Sequence, residues 1–376
     1  MTVPMIGRCI AAVVGGLLVL TVWASVIVTL IVTRPVRNKL TRLVDRLVNG
    51  LFRLATWRAT DYLRRDRVLV GQAAAILLMQ LAAWLGVSFL GYWMLLWPTV
   101  PNGLGGAFSA AGSSLFTLGY AEPAGAAPAV IVFAAAATGL VIVTLQIAYL
   151  PTLYAAFNRR ETEVALLNAR AGVPSWGPEL LARTHYALGS GGSTLDTLPD
   201  LYERWERWAA DVAESHAAYL SLVRFRSPRP LSSWVTALLA VLDSAALYLS
   251  LSPESAPVVP ARLCLRCGFL CFNQIARVMG IEVPEEADGS DPVDKISLSY
   301  EEFLDAVRRM REVDFPIERD PAQAWPDFAG WRVNYERAAY AIGAAVDAVP
   351  ALWAGPRRFE GAAIPPIRPA AGRAPQ

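Results

Sequence analysis

Ser113-Ser114-Leu115-Phe116-Thr117-Leu118-Gly119-Tyr120-Ala121-Glu122-Pro123 is the stretch on which the reading of this chain turns. It lies between two apolar runs, Val68 to Trp97 and Ala127 to Leu150, each long enough to cross a bilayer. Between Pro98 and Ala126 the only charged side chain is Glu122, so the connection reads as a short outer loop that partly re-enters the membrane. Lipid cannot satisfy backbone N–H and C=O groups. A non-helical stretch at that depth must therefore be buried in protein or line a cavity.

Further out, Cys9 to Val32 carries no charge and spans roughly 36 Å as a helix at 1.5 Å per residue, which is enough for a first crossing. It is too long for the apolar core of a signal peptide, and no convincing cleavage site follows. The next segment, residues 34–67, holds Arg34, Arg37, Lys39, Arg42, Arg46, Arg53, Arg58, Arg64, Arg65 and Arg67 against Asp45, Asp61 and Asp66. Such a basic excess places it on the cytoplasmic side, with the N-terminus outside. Leu40, Leu43, Val44, Leu47, Leu51 and Leu54 recur at helical spacing, so the linker is an amphipathic helix. Two settings fit it: the anionic inner leaflet, or the surface of a cytosolic domain. The second crossing ends in Tyr92, Trp93 and Trp97, rings suited to the membrane interface. The third stops at Pro151 and is followed by Arg159 and Arg160; its Ala134 to Ala137 and Gly139 allow close helix approach.

Thr117-Leu118-Gly119-Tyr120 resembles the Thr-x-Gly-Tyr-Gly selectivity filter of the potassium channel family, in which backbone carbonyls from four chains replace the ion's hydration shell. The helix, pore loop and helix from Val68 to Leu150 is the context that family requires. The resemblance implies a homotetramer in the cell membrane that passes a monovalent cation, potassium in the family, with no other cofactor. It makes Thr117, Leu118, Gly119, Tyr120 and Ala121 the filter, and about Leu104 to Phe116 the pore helix. Ala121 stands at the second filter glycine, a left-handed position in the family, where a Cβ costs roughly 1–2 kcal/mol. Phe116 and Glu122 replace residues usual in the family. Gly139 falls where members often carry a gating hinge, although a glycine there is equally a packing site. Thr138, Ile142 and Gln146 follow one stripe that is expected to face the cavity.

Downstream of Pro151 the chain becomes charged, proline-punctuated and mostly helical, which marks a cytosolic domain over 152–354 before a disordered tail at 355–376. A helix over about Pro199 to Phe225 carries Leu201, Trp205, Trp208, Val212, His216, Tyr219 and Val223 on one face, with His216 expected in the core. His185 has no second metal ligand at suitable spacing. Ser232 to Leu251 is apolar, but Asp243 near its centre would cost about 2.5–3.5 kcal/mol in a membrane, so a buried cytosolic helix is expected. Cys264, Cys267 and Cys271 share a helical stripe that lacks a fourth zinc ligand, and packing is their expected role. A short helix follows with an acidic start, Ser299-Tyr300-Glu301-Glu302, and a basic end at Arg308, Arg309 and Arg311, as the helix dipole favours, and one more helix is expected at about Trp331 to Val349.

The fold expected is thus an all-α membrane protein: a first transmembrane helix (1–33), a basic linker (34–67), a pore module (68–151) and a helical cytosolic domain. The 376 residues are 55% hydrophobic and 18% charged with a net charge of +2, so no global basic field points to nucleic acid. Gly189-Ser190-Gly191-Gly192 lacks the preceding strand and following lysine of a phosphate loop, so no enzyme is indicated. A non-conducting membrane scaffold or sensor with a degenerate pore loop is the alternative from another class.

Overall fold

The computed structural model describes residues 3–32, 39–121, 125–186, 194–282 and 291–355, and among these every regular element is helical. Arg34, Arg37, Glu122, Pro123, the Gly189–Gly192 turn, the loop around Pro284 and the tail from residue 356 lie outside the described residues. Among the described residues, four helices are long and apolar enough to cross a membrane. The chain divides into two compact units, Met1–Thr60 with Arg67–Ala155, and Asp61–Asp66 with Ala156–Gln376.

The first unit contains α1 (Val3–Leu30), α2 (Lys39–Thr56), α4 (Gln72–Leu96), α5 (Gly103–Leu115) and the first part of α6 (Ala126–Ala171). Helices α1 and α4 meet at glycines. A Cβ on Gly15 would lie 2.5 Å from the Gly91 carbonyl oxygen, and one on Gly91 would lie 2.9 Å from that of Gly15. Such backbone contact is how apolar helices gain packing where lipid provides no hydrophobic drive. Buried polar side chains pair across the same bundle. Trp84 Nε1 donates to Ser25 Oγ at 2.9 Å, and the Tyr92 hydroxyl donates to the Ala134 carbonyl. Thr138 Oγ1 lies 2.7 Å from that hydroxyl and accepts from Trp23 Nε1.

Three expectations change here. Helix α6 does not stop at Pro151 but continues to Ala171, because one missing N–H removes a single rung of the ladder while the flanking turns remain paired. Thr138, Ile142 and Gln146 are buried and do not face an open cavity. Thr138 bonds to Tyr92 and Trp23, and Ile142 packs with Trp84, Val22 and Val26. The exposed stripe of α6 runs instead through Phe133, Leu140 and Ile147. On α2, Val44 and Val48 pack against Ile76, with Gln72 Nε2 donating to Asn49 Oδ1, whereas Leu43, Leu47, Leu51 and Leu54 are each more than half exposed. The apolar face inferred from spacing is therefore split into a packed edge and an outward ridge.

The second unit takes the remainder of α6 with α7 (Gly177–Tyr186), α8 (Leu198–Ala218), α9 (Trp234–Leu251), α10 (Val258–Met279), α11 (Pro292–Lys295), α12 (Tyr300–Arg311), α13 (Pro321–Arg332) and α14 (Glu336–Ala345). It also takes the start of α3 (Tyr62–Leu69), whose Asp66 and Tyr62 accept from Arg226 and whose Arg65 pairs with Asp347. Every residue of α9 is buried by its neighbours. Asp243 at its centre accepts from Arg332 and from the Tyr335 hydroxyl, and Arg332 also donates to Glu336, Tyr340 and the Trp353 carbonyl. The helix expected over Trp331 to Val349 is broken at Val333–Tyr335, a turn that brings Arg332 and Tyr335 to the same carboxylate. Burial pushes the Asp243 carboxyl up to about 6 against the pull of Arg332.

A second buried cation, Arg160, donates to Glu161 and to the carbonyls of Leu222 and Phe225, and lies 3.0 Å from His216 Nε2. Beside a guanidinium this nitrogen acts as an acceptor, so His216 is neutral with its proton on Nδ1. His216 is fully buried, as its place on the apolar face of α8 predicts. Cys264 and Cys271 are buried and Cys267 is half-buried, and burial pushes all three thiols up.

Candidate functional site

Helix α5 ends where the resemblance places the end of a pore helix, and residues 116–121 follow it as a non-helical loop. The apolar run Ala107, Ala110, Ala111 and Leu115 buries one side of α5 against Tyr92, Leu96 and Ala135. On its other side Phe108 stacks edge-on with Phe89 and Trp93, at centroid distances of 5.0 and 5.7 Å. Trp93 Nε1 donates to the Leu104 carbonyl, which fixes the first turn of this glycine-rich helix.

One residue gathers the loop. The Ser113 carbonyl accepts the N–H of Leu118 at 2.7 Å and of Gly119 at 3.3 Å. The Ser113 Oγ accepts the N–H of Tyr120 at 2.9 Å and of Ala121 at 3.0 Å. The N–H groups of Phe116 and Thr117 go to the carbonyls of Gly112 and Ser114. Every backbone donor from Phe116 to Ala121 is thus turned inward onto the end of α5. In a planar trans peptide the C=O points opposite to the N–H of the next residue. Pinning the donors of residues 118 to 121 therefore turns the carbonyls of Thr117, Leu118, Gly119 and Tyr120 away from α5, and no described residue donates to those oxygens. Side chains of Leu118 and Tyr120 are exposed, at 64% and 66%.

The left-handed residues of the loop are Thr117 (φ 54°) and Gly119 (φ 72°). Ala121 is not among the residues with positive φ, so the strain foreseen at the second filter glycine falls four positions earlier, on a β-branched side chain. The Thr117 hydroxyl donates back to the Phe116 carbonyl at 2.8 Å. Gly139 on α6 lies against the end of α5, where an added Cβ would sit 1.9 Å from the Leu115 carbonyl oxygen. This close approach by itself requires the glycine.

The structure thus brings together Thr117, Leu118, Gly119, Tyr120 and Ala121, and sets Gly139 beside the helix that carries them. Sequence reasoning missed Ser113. The available signal was a serine in a helix of alanines and glycines one turn before the loop; its burial is a property of the structure. No family model matches the chain, and neither a curated protein nor a solved structure matches it.

Proposed function

We propose that the protein is a homotetrameric pore-loop cation channel of the cell membrane, with potassium as the permeant ion and no cofactor. The observation that carries this is the polarity of the loop. Its donors are satisfied internally, and four consecutive carbonyls, Thr117 to Tyr120, are left with no described donor. Carbonyl oxygens at membrane depth need a partner that lipid cannot supply, and a dehydrated cation is one. One loop per chain provides a quarter of a four-fold ring, which closed symmetry completes.

Three spans, α1, α4 and the first part of α6, flank this loop. The fourth apolar helix, α9, is wrapped by protein throughout and holds an ion pair at its centre, which favours a place in the cytosolic domain. The outward leucine ridge of α2, with Arg46 and Arg53 also exposed on that helix, suits the anionic inner leaflet.

The test is cation flux through purified, reconstituted protein. Wild type is expected to pass monovalent cations as a tetramer, and Gly119→Asp is expected to abolish flux while the tetramer persists. Flux that survives Gly119→Asp unchanged would remove this loop from the pathway. A silent wild-type tetramer under voltage, pH and calcium steps would instead favour a non-conducting scaffold.

A further inference from the structure

We propose that the Ser113 side chain is the positioning residue that aims the outer half of the carbonyl row, so that cation selectivity depends on a hydroxyl lying outside the row itself. The proposal rests on the channel function proposed above.

Ser113 acts through two different atoms. Its main-chain oxygen takes the N–H of Leu118 and Gly119, and through the planar peptide this fixes the carbonyls of Thr117 and Leu118. Its Oγ takes the N–H of Tyr120 and Ala121, and this fixes the carbonyls of Gly119 and Tyr120. A serine hydroxyl has two lone pairs, and both are used. Ser113 is 1% exposed, so water does not compete for them.

Ala121, whose N–H is held by Oγ, is not among the residues with positive φ, so alanine fits this position without left-handed strain. Replacing the hydroxyl releases two carbonyls of the four, while the other two remain held by the main chain of residue 113, which no substitution removes.

This split gives the test a signature that a merely structural role would not produce. In purified full-length protein in lipid nanodiscs, Ser113→Ala is expected to raise amide hydrogen exchange at Tyr120 and Ala121 by about tenfold or more, the scale of losing two net hydrogen bonds. Leu118 and Gly119 should remain protected as in wild type. In reconstituted channels the potassium-over-sodium permeability ratio is expected to fall by a similar factor, and Ser113→Thr, which keeps the hydroxyl, should restore both values. Should Ser113→Ala prove too unstable to isolate, Ser113→Cys keeps the volume with a weaker acceptor and should shift exchange and selectivity in the same direction. Unchanged exchange and selectivity in folded Ser113→Ala or Ser113→Cys would overturn the positioning role and leave the channel standing. A wild type that carries no cation would overturn the channel and this role with it, even where the exchange pattern matched.

Discussion

Gly139 comes so close to Leu115 that an added methyl carbon would stand 1.9 Å from the Leu115 carbonyl oxygen. Backbone cannot yield as a flexible side chain does, so Gly139→Ala is expected to push α6 away from the end of α5. The cost should be about 1–3 kcal/mol, the range for overpacking a close contact. Gly86 on α4 has nothing within 4 Å of its Cβ position and serves as the control, where Gly86→Ala should be neutral or slightly stabilising. Thermal melts of the two variants in detergent would compare them directly. Equal melting temperatures would show that the helices do not meet at Gly139.

Backbone strain in the loop sits on Thr117 and not on Ala121. Ala121→Gly should therefore leave stability unchanged or lower it slightly, since glycine adds freedom to the unfolded chain. Thr117→Gly relieves a left-handed conformation that costs an L-residue about 1–2 kcal/mol, and should gain part of that. Denaturant titration checks the order of the two; a larger gain from Ala121→Gly would relocate the strain.

Asp243 and Arg332 are fully buried partners. Asp243→Ala leaves the guanidinium without its central partner and should cost about 3–5 kcal/mol. Asp243→Asn, which keeps an acceptor for Arg332 and for the Tyr335 hydroxyl while Glu336 still balances the buried guanidinium, should cost clearly less than Asp243→Ala. An asparagine variant as unstable as the alanine one would mean that the charge of Asp243, and not its hydrogen bonding, carries the stability.

Burial and the adjacent Arg160 hold the His216 imidazole well below its usual 6.5. A depressed histidine means that the unfolded chain binds a proton that the folded chain refuses. Its contribution to stability is therefore complete above about pH 6.5 and is lost progressively as the pH falls below that value. His216→Gln, which retains an acceptor for Arg160, should flatten this part of the profile. Melting temperatures measured from neutral to mildly acidic pH would reveal it, and identical slopes for the two proteins would contradict the buried neutral imidazole.

Apolar length and charge placement in the sequence by themselves determined the helices of the first unit, the position of the loop and the separate charged region, because these follow from how many residues cross an apolar layer and where cations stop. A helix expected at Leu104 to Phe116 is found as α5, and the burial of His216 followed from a 3.6-residue period. Periodicity identifies an apolar face but not what covers it. Val44 and Leu47 were therefore indistinguishable until the first was seen packed with Ile76 and the second left more than half exposed. Only the tertiary structure decided that Thr138 and Ile142 turn towards Tyr92, Trp23 and Trp84, that a turn at Val333–Tyr335 serves Asp243, and that strain rests on Thr117. It alone assigned the loop to Ser113. Hydrogen-bond partners are set by which acceptor is nearest in space, and four donors within reach of one residue is a property of the folded turn.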